Sequence, residues 1–192
     1  ASLRAIPGLD VIRPADANET AAAWDRILHH RHRPAGIILS RQNLPVLTTP
    51  AAAAAGAARG AYILIEAADD HDRPAVPTIT LIATGSEVSI AADARTILQA
   101  ESVPTRVVSA PCLEWFDQQD EDYRARVLPP DSIKVSIEAG TATGWRERVG
   151  HTGAIISIDH YGASAPAARL FADNGFTGQN IAATARRALA RA

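Results

Sequence analysis

Apolar positions along this chain follow two rhythms, short continuous runs and stripes at helical spacing. The runs are Leu9 to Arg13, Gly36 to Leu39, Tyr62 to Glu66, Thr78 to Ala83, Val103 to Ser109, Ile133 to Ile137 and Ala154 to Ile158. Their length and their β-branched residues predict strands. Gly36 to Leu39 carries no polar side chain, the form taken by a strand buried on both faces. Ala17, Ala21, Trp24 and Leu28 share one helical face. Asp16 stands before them as an N-cap with Glu19 three residues on, the spacing of a capping box, and the helix should reach about His30 before Pro34. Ile90, Ala94, Ile97 and Leu98 form a second stripe. Ile181, Ala185, Ala188 and Leu189 form a last one, starting at Thr177. Between these stripes, Cys112 to Val127 reads as two short helical turns split at Asp117 to Asp120, and Thr143 to Val149 and Pro166 to Asp173 as short helices.

Strand, helix, strand over the first forty residues implies a parallel crossover. From Thr78 onward, four strands separated by helices predict a three-layer α/β/α sandwich with a mostly parallel sheet. Composition shifts between the two: Thr48-Thr49-Pro50 leads into an alanine-rich stretch with good helix propensity, and Asp69-Asp70-His71-Asp72 is a polar loop ended by Pro74 and Pro77. A domain boundary is therefore expected between Pro45 and Pro77.

The 192 residues suffice to bury a core, with roughly 70% of the unfolded surface hidden. A net charge of -2 supplies no basic field for nucleic acid or an anionic membrane. No apolar segment approaches the ~20 residues needed to span a bilayer, and Arg4, Pro7 and Gly8 interrupt any signal-peptide pattern. The single Cys112 rules out an intrachain disulfide, which fits a cytoplasmic location. The chain begins at Ala1 and has no methionine. Either removal of an initiator or excision from a longer chain accounts for that.

Candidate chemistry is sparse. Ser40-Arg41-Gln42-Asn43 closes the apolar run at Leu39, and ligands of open α/β sheets collect beyond strand carboxyl ends. Arg41 there suits a phosphate or carboxylate through two parallel hydrogen bonds. A solvated arginine fits the same position. Thr84-Gly85-Ser86, between a strand and a helix, offers backbone amides to an anion, although Ser86 can simply cap the helix. Glu138, Asp159 and His160 lie at two strand ends and suit acid-base work if those strands are neighbours; helix capping and solvation are the preferred account of them. His29 and His32 lack a third metal ligand nearby, and cations at a helix C-terminus favour its dipole. Asp69 to Asp72 matches no calcium loop. Gly162-Ala163-Ser164-Ala165-Pro166 departs from a hydrolase elbow, and Cys112, with no base beside it, reads as a small apolar filler.

One resemblance organises these pieces. Arg13-Pro14-Ala15-Asp16, then Ile38-Leu39-Ser40-Arg41-Gln42-Asn43-Leu44, then Ile82-Ala83-Thr84-Gly85-Ser86-Glu87-Val88 resemble successive motifs of the transketolase family. Phe116-Asp117, Tyr123-Arg124, Val127-Leu128-Pro129, Glu138-Ala139-Gly140, Gly162 to Pro166 and Gly175-Phe176-Thr177 continue the series in order. Cys112-Leu113-Glu114-Trp115-Phe116 is similar to the actinobacterial branch.

The resemblance implies a division into residues 1–45, the end of the family's pyrimidine-binding domain, 46–73, a linker with an alanine-rich segment and a short strand, and 74–192, the C-terminal domain. It implies a ketol transferase of the pentose phosphate pathway, moving two-carbon units between sugar phosphates as a homodimer. Thiamine diphosphate and a divalent cation, magnesium or calcium, would be its cofactors. The Gly-Asp-Gly metal motif does not occur here, so this chain alone is expected to bind neither cofactor and to be inactive. The family's phosphate-binding arginine matches Arg41, the only functional residue carried over, as a substrate ligand. Glu138, Asp159 and His160 correspond to no established catalytic part. Arg59-Gly60-Ala61-Tyr62 departs from the family, which usually has a second glycine. The competing expectation is a free-standing binding or assembly module that keeps the C-terminal fold.

Overall fold

A computed structural model describes residues 2–192. The first unit is small. After a 3-10 turn at Ser2–Ala5, β1 (Asp10–Ile12) runs parallel to β2 (Ala35–Ile37), with α1 (Ala17–His29) between them in sequence. Asp16 caps α1 by accepting from the Glu19 amide at 2.8 Å. Glu19 does not close the capping box on Asp16; its carboxylate accepts from the amide of Ala15 at 2.7 Å.

One expectation fails in this unit, and a shared helical face turns out to be exposed. β2 ends at Ile37 and is half-buried, while Ile38 and Leu39 are exposed, because β1 is its only strand neighbour among the described residues. On α1 the face bearing Trp24 and Leu28 is exposed, and Glu19 and Ala23 are the buried positions. Helical spacing identifies a shared face but not what that face meets.

The second unit is the expected three-layer sandwich. Its strands β3 (Tyr62–Ile65), β4 (Ile79–Ala83), β5 (Thr105–Ser109), β6 (Ile133–Ile137) and β7 (Ala154–Ile156) lie in the order β3-β5-β4-β6-β7. All neighbours are parallel except β3, which pairs antiparallel with β5. Stretch 46–73 is thus more than a connection: it gives the short helix α2 (Pro50–Ala57) and the edge strand of the main sheet.

Alternate residues of the central strands feed two cores, as the pleat requires. Leu81, Val107 and Val135 face α3 (Glu87–Gln99) and α8 (Gly178–Leu189), whose Leu98, Ile181 and Ala185 are fully buried. Ile82 and Val108 face the opposite layer, packing with Phe116 of α4 (Leu113–Asp117), Tyr123 and Val127 of α5 (Glu121–Val127), and Trp145 just before α6 (Arg146–Val149). α7 (Ala167–Asp173) leads into α8, which Thr177 caps. Among the described residues no helix is long and apolar enough to cross a membrane.

A third apolar cluster joins the units. Trp115 of α4 packs with Ile12, Ala23 and Cys112, and Ile27, Ala35 and Ile37 surround them. The Trp115 Nε1 donates to Asp10 Oδ2 at 2.8 Å, so the indole is buried with its polar atom satisfied.

Candidate functional site

The described residues hold no group of three or more His, Cys, Asp or Glu side chains able to grip a metal. The remaining candidates are individual side chains and the polar joint between the units. That joint centres on the four residues after β1. The guanidinium of Arg13 donates to Thr84 Oγ1 at 2.6 Å and lies 2.9 Å from Glu87 and 3.4 Å from Glu138. Glu138 also accepts from Thr84 Oγ1 at 2.8 Å and pairs with Arg4. The backbone of Arg13 donates to Pro111 O at 2.8 Å and accepts from the Gly85 amide at 2.9 Å.

These contacts settle two sequence candidates. The turn at Thr84-Gly85-Ser86 is not a free anion cradle, because Arg13 fills it: a side chain on Gly85, at φ +56, would begin 3.4 Å from that guanidinium. Nor does Ser86 cap α3; its hydroxyl donates to Glu87. Glu138, Asp159 and His160 do sit on neighbouring strand ends, yet they have separate partners. Glu138 is buried against the two arginines, Asp159 accepts from Ala142 N and Ser157 Oγ, and the His160 ring bonds Tyr161 O. They do not form an acid-base set.

The buried carboxylates divide electrically. Burial would raise the pKa of Glu138, but Arg4, Arg13 and the Thr84 hydroxyl outweigh it and hold the carboxyl below its ordinary value. Burial would likewise raise Asp16, and the donors of Glu19, Thr48 and Leu47 reverse that sign. In Glu87 burial wins over Arg13, so its pKa rises. Glu19 is raised too, by burial, although it accepts from Ser109 Oγ at 2.6 Å and Tyr62 Oη at 2.7 Å. Burial pushes the Cys112 thiol up, away from the reactive thiolate.

Arg41 sits outside this joint. It is exposed, four residues past the end of β2, and among the described residues no carboxylate lies within ion-pair distance of it. The backbone before it is anchored where the Ile38 amide donates to Ile12 O at 2.9 Å. The next anchor is Asp16, whose Oδ2 accepts from the amides of Leu47 and Thr48, each at 2.9 Å, and from Thr48 Oγ1 at 2.8 Å. The cation is thus presented on a loop slung between two fixed points. Sequence reading placed Arg41 beyond the end of the strand and the cap at Asp16, but not the link from Asp16 to the far end of the loop.

A family model described as "Transketolase-like TK C-terminal domain" matches residues 60–177, and "Transketolase, pyrimidine binding domain" matches residues 1–46. The chain belongs to the transketolase family. Transketolase from Mycobacterium tuberculosis strain H37Rv is 51% identical over 191 residues, covering 98% of this chain and 27% of that protein. The chain therefore spans about 27% of the length of these curated transketolases. Among solved structures, a Pichia stipitis transketolase complexed with sedoheptulose-7-phosphate aligns with TM-score 0.87 at 33% identity, covering 99% of this chain and 26% of that one. A split-gene transketolase, described as an inactive β4 tetramer, shares the fold at TM-score 0.74 and 23% identity over 98% of this chain and 60% of its own.

Among the described residues there is no cluster to hold the cation, and Arg13 occupies the Thr84-Gly85-Ser86 turn, so that turn does not fit a diphosphate.

Proposed function

We propose that this chain is the C-terminal part of a transketolase that transfers two-carbon ketol units between sugar phosphates in the pentose phosphate pathway. Thiamine diphosphate and a divalent cation, magnesium or calcium, are held by other parts of that protein, which acts as a cytoplasmic homodimer. The role of this chain in the reaction is to bind substrate phosphate through Arg41. The observation that carries this reading is an exposed, unpaired guanidinium beyond the carboxyl end of β2, within a chain of the transketolase family. An arginine so placed can donate a charge-assisted pair of hydrogen bonds to a phosphate and fix the reacting end of the sugar. The family relation supports the chemistry, and the complex of the Pichia stipitis relative supports the substrate class.

The division of labour is open to direct test. Ketol transfer from a phosphorylated ketose to a phosphorylated aldose should require thiamine diphosphate in the complete protein. It should be undetectable with this 192-residue chain alone. Transfer by the isolated chain would overturn the assignment. No activity from the complete protein, with the folded chain still recognising a partner, would instead favour the assembly-module reading.

A further inference from the structure

We propose that Asp16 is a positioning residue for the Arg41-bearing loop, fixing the phosphate grip from its far end. The proposal rests on the substrate-binding reading of Arg41 and extends it to a residue that touches no substrate.

Residues 39–46 make no hydrogen bond, backbone or side chain, among the described residues. The loop therefore takes its shape from its two ends, and both are held by one short segment. At the near end the Ile38 amide bonds Ile12 O at 2.9 Å. At the far end one oxygen of Asp16 collects three donors, the Leu47 amide, the Thr48 amide and the Thr48 hydroxyl. Asn18 adds a bond from its side-chain amide to Thr48 O at 2.6 Å.

Asp16 needs only one of its oxygens for the helix. Oδ1 accepts from the Glu19 amide and satisfies the cap, and a serine or asparagine would do that as well. The second oxygen is committed to the loop. Asp16 is buried, so a lost bond there leaves a donor without water to replace it. Residues Ile12 to Asp16 are themselves immobilised by the Arg13 contacts to Thr84, Glu87, Glu138, Pro111 and Gly85. The second unit thus supplies a rigid post, and Asp16 ties the substrate loop to it.

Asp16→Asn separates the two duties. The amide keeps one acceptor for the cap and replaces the other with an NH2 group that cannot accept from Leu47 or Thr48. In the isolated chain, hydrogen exchange at the amides of Leu47 and Thr48 should accelerate at least about tenfold while helical circular dichroism is retained. In the complete protein, KM for the phosphorylated substrate should rise about tenfold, with kcat at saturation changing much less, because a displaced guanidinium weakens binding of the phosphate end. Arg41→Ala is the reference. If Arg41→Ala leaves KM for phosphorylated substrates unchanged, the reading of Arg41 fails and the positioning role falls with it. If Arg41→Ala raises that KM and Asp16→Asn does not, the positioning role alone is overturned. Unchanged exchange at Leu47 and Thr48 would overturn it as well. Should Asp16→Asn lose its fold, Thr48→Val removes one of the three donors and carries the same test with a smaller shift in the same direction.

Discussion

At the scale of single residues, the same burial leaves different marks on different carboxylates. Asp16 and Glu138 have enough donors and cations to stay below their ordinary pKa, whereas Glu19 and Glu87 are pushed above it. A depressed folded-state pKa gives stability that is complete above the unfolded value and disappears as pH falls through the folded value. A raised one has the opposite sign, favouring the fold at low pH and losing that contribution as pH rises. The fold should therefore lose the Asp16 and Glu138 contributions below about pH 4, where carboxylates protonate. Urea midpoints measured from pH 2 to 7 should show an acid decline that is shallower in Glu138→Gln than in the parent; equal slopes would contradict the assignment. Little of this could be read from sequence. Asp16 and Glu19 announced a cap, but Glu19 finds Tyr62 and Ser109, 43 and 90 positions away, only once the units have docked.

At the scale of elements, periodicity located almost every strand and helix and failed where partnership decides the outcome. Tyr62–Ile65 looks like any short apolar run, and its antiparallel pairing with β5 follows from how α2 turns the chain back. Gly60 makes that turn. Its φ is +84, and a Cβ there would lie 2.2 Å from Cys112 O and 2.3 Å from Phe116 N, both backbone atoms. The Gly60 carbonyl also accepts from the Cys112 amide at 2.9 Å, tying the turn to the start of α4. Gly60→Ala should therefore cost at least about 2 kcal/mol from backbone strain and overpacking, read as a lower urea midpoint. Gly36→Ala, where nothing lies within 4 Å of the added carbon, serves as the mild control. The exposed Trp24 face of α1 and the half-buried β2 mark the limit of the method, since a stripe does not name its partner.

At the scale of the whole molecule, the chain is a sandwich domain with a small parallel β-α-β unit fastened to it by Trp115 and Arg13. The ordered motif series made the family and fold class legible before any contact was known, and the family matches agree. The joint was not legible, because its ion pairs link positions far apart in sequence, such as Arg13 with Glu87 and Glu138. On the proposed reading, the sandwich holds Ile12 to Asp16 in place and so shapes the loop that carries Arg41. The central claim is that Arg41 grips substrate phosphate. The most direct measurement is the ratio of kcat/KM for a phosphorylated acceptor to that for its unphosphorylated counterpart, in the complete protein and in Arg41→Ala. Loss of charge-assisted hydrogen bonds of about 1.5–3 kcal/mol should lower that ratio by about ten- to a hundredfold. A ratio unchanged by Arg41→Ala would contradict the account.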